Sequence, residues 1–162
     1  MPEHLQYLVV AAIVSCGVIS GLLFAFSIVV MRALQQLPTA AGVLAMQRIN
    51  VLIINPLFLA TFLGSSALCL GVAVVAVRGM PSTGALLLLA GAVAYLLGPL
   101  ATTVVFNVPL NNRLAKVVPH EAEAEWPKYV SAWLRWNHVR TALGVTGTAL
   151  LAVGLTYAVS GH

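Results

Sequence analysis

The chain has 162 residues, of which 60% are hydrophobic and only 7% charged, with a mean hydropathy of +0.99. A soluble domain carries roughly a quarter charged residues, so this composition excludes an ordinary water-soluble fold. The net charge of +4 comes from scattered cations that form no stripe able to track a nucleic-acid backbone, which excludes nucleic acid as a partner.

Long uncharged runs separate the charges. Glu3 is followed by 28 uncharged residues up to Arg32, Arg48 by 29 up to Arg78, Arg78 by 34 up to Arg113, and Arg140 by the last 22. A membrane-crossing helix needs about 20 mostly apolar residues, and all four gaps suffice. The sequence therefore predicts an all-α membrane protein. It forms a single membrane domain over 1–162, a four-transmembrane-helix bundle with spans at about 5–31, 49–77, 83–108 and 141–160, joined by loops at 32–48 and 109–140.

The first span is entered through Tyr7 and contains Gly17, Ser20 and Gly21, small residues that let helices approach closely. Ile13, Val14, Ser15 and Cys16 faintly resemble a lipoprotein cleavage box. No Lys or Arg precedes them, as a signal peptide requires, and cleavage would leave Gly17 to Met31, too few residues to cross. Cys16 and Cys69 sit inside apolar runs and imply no disulfide framework. Pro38 opens a short helical stretch before the second span, which begins with Arg48, Asn50 and Asn55 close together. There Pro56 is expected to break the hydrogen-bond ladder. The turn Gly79, Met80, Pro81, Ser82 leads into the third span, which carries Pro99 and ends at Pro109.

The segment from Asn111 to Arg140 is the one polar stretch. Pro119 and the acids after it suit a helix start. Trp126, Tyr129, Val130, Trp133, Trp136, Asn137 and Arg140 then recur at steps of three and four, which predicts a polar, Trp-rich helical segment before the fourth span. Two readings of the stripe stay open: an interfacial Trp belt, or rings lining a pocket for a flat apolar ligand. Loops one and three carry seven of the eight Lys and Arg, so the positive-inside rule places them in the cytoplasm of a bacterial inner membrane and both termini outside.

The polar residues of the spans gather at that loaded side. Asn50 and Asn55 open span two, Asn107, Asn111 and Asn112 close span three, and Asn137, His138 and Arg140 precede span four. On α-helices Arg48 shares a face with Asn55, and Thr103 with Asn107 and Asn111. Such amides either stitch helices together or mark a site. No paired His, no Cys-x-x-Cys and no acid within a span supports a metal. No Gly-rich phosphate loop and no Ser, His, Asp set supports nucleotide or hydrolase chemistry.

The words Arg-Ile-Asn (48–50) with Asn-Pro (55–56), Asn-Val-Pro-Leu-Asn-Asn (107–112) and Trp-Leu-Arg-Trp-Asn-His-Val-Arg (133–140) resemble the anthrone oxygenase-like family of small four-span membrane proteins. The resemblance runs from Gly21 to Arg140. It implies a cofactor-independent oxygenase that inserts oxygen into an anthrone-like ring, with no metal and no cofactor. The carried-over catalytic residues are His138 as base, Asn107 and Asn111 as donors to the enolate oxygen, and Arg140 as anion holder. Trp133 and Trp136 would stack on the substrate, with Asn55 and Arg48 completing the substrate site. The implied partner is an apolar aromatic small molecule, anthrone- or quinol-like, drawn from membrane lipid. The alternative is a non-catalytic membrane module that binds a lipid or small ligand or organises a homo-oligomer through Gly71, Gly84 and Gly91.

Overall fold

The computed structural model describes residues 1–79 and 82–160. Met80 and Pro81, within the turn expected between spans two and three, lie outside the described residues. The described residues are helical apart from short links, with no strand among them. Four helices are long and apolar enough to cross a membrane. These are α1 (Glu3–Gln35), α3 (Pro56–Arg78), α4 (Thr83–Leu114) and a helix that follows a 3-10 turn at Pro119–Glu121, which we label α5 (Ala122–Ser160). A shorter helix, α2 (Thr39–Leu52), lies between α1 and α3.

Three features differ from the sequence expectation. The second span starts at Pro56 rather than near residue 49, because Pro56 occupies the first helical position, where its missing N–H costs nothing. Asn55 is the N-cap: its Oδ1 accepts from the Phe58 N–H at 3.0 Å, and its Nδ2 donates to the Leu52 carbonyl at 3.0 Å. Arg48 and Asn55 therefore sit on different elements and share no helix face. The third difference is that the Trp-rich segment and the fourth span are one continuous helix of 39 residues, about 58 Å long and roughly twice the hydrocarbon thickness.

That excess length divides the molecule into two cores. One holds Val9, Cys16, Cys69, Val72, Leu88, Tyr95 and Leu151 and belongs to the membrane bundle. In it the Cys16 and Cys69 thiols touch at 3.3 Å, and Tyr95 Oη meets Ser65 Oγ at 2.8 Å. The other core holds Met31, Val43, Met46, Leu114, Trp126, Tyr129 and Trp133 and forms a cap at the end away from the termini. The bundle is tightest between α4 and α5. A Cβ on Gly147 would lie 2.8 Å from the Gly91 carbonyl oxygen, one on Gly84 2.8 Å from the Ala158 nitrogen and one on Gly154 2.9 Å from the Leu88 nitrogen. Only glycines permit that approach.

Two stretches are wound as π-helix, Phe26–Val30 in α1 and Leu96–Asn107 in α4. Their N–H groups reach back five residues, as in Met31 N–H to the Phe26 carbonyl and Val108 N–H to the Thr103 carbonyl. In α4 the cause is local: Pro99 has no N–H to give. The wider turn puts Thr102 and Asn107, five residues apart, both in the interior. An α-helical step of four from Thr103 to Asn107 does not describe this stretch; Thr103 is half-buried.

Candidate functional site

The two cores meet at a layer of polar side chains. On α5, Arg140 stands twenty residues before Ser160, about 30 Å along the helix, which is the depth of a hydrocarbon core. Trp133, Asn137, Arg140 and Thr141 follow one another on the face of α5 that continues into Gly144 and Gly147, and all are buried. The polar layer is thus the last stretch of the packing seam.

Arg140 is the centre. Its side chain is 8% exposed. Nε and one terminal nitrogen both donate to Asn137 Oδ1, at 2.9 and 2.6 Å, and the other terminal nitrogen donates to Thr103 Oγ1 at 3.0 Å. Its guanidinium carbon lies 5.1 Å from the Trp133 ring centroid, a cation–π distance. No carboxylate faces it: among the described residues the one salt bridge is the exposed pair Lys128–Glu125. A buried cation without a counter-ion is costly to hold.

Asn137 links Arg140 to the first helix. Its Nδ2 donates to the Leu23 carbonyl at 3.0 Å and to Ser27 Oγ at 2.7 Å, so with the two bonds from Arg140 its amide is fully used. Ser27 Oγ also meets His138 Nδ1 at 3.1 Å and Thr141 Oγ1 at 3.3 Å. His138 itself is exposed on the flank of the bundle.

Asn111 belongs to an adjoining group in the cap. Its Oδ1 accepts from Tyr129 Oη and from Trp133 Nε1, each at 2.9 Å. Asn107, 1% exposed, donates to the Trp133 carbonyl at 3.3 Å and leaves its Oδ1 buried with no partner. Asn50 Nδ2 is likewise buried and unpaired. Buried polar atoms are rarely left so. Trp136 stacks face to face on Phe106 at 3.5 Å between centroids, and the Arg135 guanidinium carbon lies over the Trp136 ring, 5.5 Å from its centroid.

Of the residues singled out in the sequence, the structure brings Asn107, Trp133, His138 and Arg140 into one layer, with Asn111 joined to it through Trp133 and Trp136 beside it. Asn55 and Arg48 make no hydrogen bond to that layer among the described residues: both are exposed, and Asn55 is spent on capping. Ser27, Thr103, Thr141 and Tyr129 join the layer without having been picked out as site residues. Two open clefts lie further along the cap, one of about 570 Å³ beside Arg113, Lys116 and His120, the other of about 250 Å³ beside Leu110, Arg113 and Tyr129. Neither is lined by Arg140 or His138.

Fold and polar layer together define a four-span helical membrane protein with a single buried, carboxylate-free arginine at the junction of two cores. The sequence model of the Anthrone oxygenase family matches residues 56–150; this is more than half of the chain, which belongs to that family. No curated protein and no solved structure matches the chain. The matched region contains Thr103, Asn107, Asn111 and the whole 133–140 word but not Ser27.

Proposed function

We propose that the protein is a membrane oxygenase acting on a flat, apolar, anthrone- or quinol-like aromatic, at the polar layer around Arg140. The observation that carries this reading is the buried guanidinium with no carboxylate partner, in a member of the anthrone oxygenase family. A site that holds a lone cation favours an anion beside it. A unit negative charge about 4 Å from the guanidinium gains about 4 kcal/mol at an effective dielectric constant of about 20, close to three orders of magnitude in acidity.

Chemistry of that kind suits an anthrone. Loss of a proton from the ring methylene to His138 leaves a delocalised enolate, held by Arg140 and by the amides of Asn107 and Asn111. The enolate passes one electron to dioxygen, and the radical pair combines into a hydroperoxide after taking up a proton. Elimination of water turns the former methylene into a carbonyl, so one anthrone and one dioxygen become one anthraquinone and one water. Trp136, stacked on Phe106 beside the layer, offers the ring an aromatic face once the exposed Arg135 side chain that lies over it moves aside. The cation count of the loops puts the cap in the cytoplasm and the termini outside, and substrate reaches the site from membrane lipid.

The test is oxygen uptake and quinone absorbance by purified protein in lipid nanodiscs supplied with an anthrone. Turnover that falls at least tenfold in His138→Ala and in Arg140→Met supports the reading. No uptake with any anthrone or quinol, or variants indistinguishable from wild type, overturns it. The complete pairing of Asn137 and of Asn111 Oδ1 favours a second reading, a non-catalytic module in which these amides hold helices together. In that case the same variants lower stability and leave no turnover to lose.

A further inference from the structure

We propose that Ser27 is a positioning residue that fixes His138 in the tautomer protonated at Nδ1, leaving Nε2 as its free acceptor. The argument is a count of donors and acceptors that starts at Arg140. A guanidinium can only donate. Both of its bonds to Asn137 therefore identify the receiving atom as Oδ1, and the amide cannot be turned over. Asn137 Nδ2 must then be the donor to Ser27 Oγ at 2.7 Å. Thr141 Oγ1 spends its one proton on the Asn137 carbonyl at 2.7 Å, and towards Ser27 it can only accept.

Ser27 has one proton and two lone pairs. Asn137 fills one lone pair, and the proton goes to Thr141 Oγ1 at 3.3 Å. What remains for His138 is the second lone pair, which requires Nδ1 to carry a hydrogen across the 3.1 Å contact. In the other arrangement Ser27 donates to a bare Nδ1; the Thr141 contact then has no hydrogen, and one Ser27 lone pair is left idle in the interior. Complete pairing is the lower-energy state for buried groups. The polarity set by the cation thus passes through Asn137 and Ser27 to the imidazole. The tautomer stands on this geometry alone; its use as a base rests on the oxygenase reading above.

The experiment is ¹⁵N NMR of the full chain, labelled at histidine, in nanodiscs at about pH 8.5, above the ordinary imidazole range. Subtracting the His138→Gln spectrum assigns the signal. The wild type is expected to show the proton on Nδ1, and Ser27→Ala to move it to Nε2, while Ser27→Thr, which keeps the hydroxyl, retains Nδ1–H. A wild-type signal with the proton on Nε2 overturns the proposal even if Ser27→Ala does not fold; so does a Ser27→Ala signal unchanged from wild type. With an active enzyme, Ser27→Ala is also expected to lower kcat by roughly tenfold to a hundredfold with KM little changed. A protein with the expected tautomer but no turnover upholds the assignment and refutes the oxygenase reading instead.

Discussion

Replacing Gly147 with alanine sets two effects of opposite sign against each other. Alanine in a helix interior is favoured over glycine by about 1 kcal/mol. The added Cβ, however, would stand 2.8 Å from the Gly91 carbonyl oxygen and 3.0 Å from the Tyr95 nitrogen. Both are backbone atoms, so no side-chain rotation relieves the clash. Restoring ordinary contact at 3.4 Å moves α4 and α5 apart by about 0.6 Å along a seam packed as closely as any in the molecule, and overpacking of this kind costs about 1–3 kcal/mol. Because both contacts are to backbone, the cost falls in the upper part of that range, about 2–3 kcal/mol, and leaves a net loss of about 1–2 kcal/mol. Gly21→Ala provides the control, since its Cβ meets nothing within 4 Å; it should be neutral or stabilising by up to about 1 kcal/mol. Equilibrium unfolding in mixed micelles reads both, followed by the fluorescence of Trp126, Trp133 and Trp136, all on α5. Gly147→Ala as stable as wild type, or Gly21→Ala destabilised to the same degree, refutes the close-seam account.

Two further substitutions separate structure from chemistry. Asn55→Ala removes the cap of α3 and should cost about 1 kcal/mol in the same unfolding assay, with oxygen uptake on an anthrone unchanged because the side chain is exposed and bonded only to the backbone of its own cap. Arg140→Lys retains the charge, but a single ammonium cannot span Asn137 Oδ1 and Thr103 Oγ1 as the planar fork does. Turnover is expected to fall at least tenfold with folding kept, whereas Arg140→Met removes a buried charge that lacks a counter-ion but strips Asn137 Oδ1 of both its donors, and should lower stability by about 1–3 kcal/mol in the unfolding assay.

The spans were legible because charge is so costly in hydrocarbon: the gaps ending at Arg32, Arg78 and Arg113 mark helices that the structure contains. The start of span two was not, since apolar Val51 to Ile54 reads the same in a helix as in the link that closes α2 before Asn55. The continuity of α5 was also hidden, because an interfacial stripe and a span were each sufficient on their own and nothing between Arg140 and Thr141 announces a joint or its absence. Asn107, Asn111, His138 and Arg140 stood out as polar groups beside long apolar runs. Ser27 and Thr141 did not, since hydroxyls on membrane helices usually bond their own backbone; only the meeting of α1 with α5 shows Ser27 receiving Asn137. Thr103 was grouped with Asn107 on the assumption of 3.6 residues per turn, and the winding around Pro99 departs from it.

That winding acts as a phase adjuster. From Gly98 to Asn107 an α-helix would advance nine steps of 100°, half a revolution beyond two full turns, and deliver the amide to the opposite side from the glycine. At the roughly 4.4 residues per turn of a π-helix, nine steps close to about two revolutions, and Asn107 arrives on the side from which Gly98 left. The same helix can therefore present its small residues to α5 in the bundle and its amide to α5 in the cap. A one-residue deletion between Leu96 and Asn107 would act on this chain less as a shortening than as a rotation, swinging everything downstream through about a quarter turn while the bundle below kept its grip.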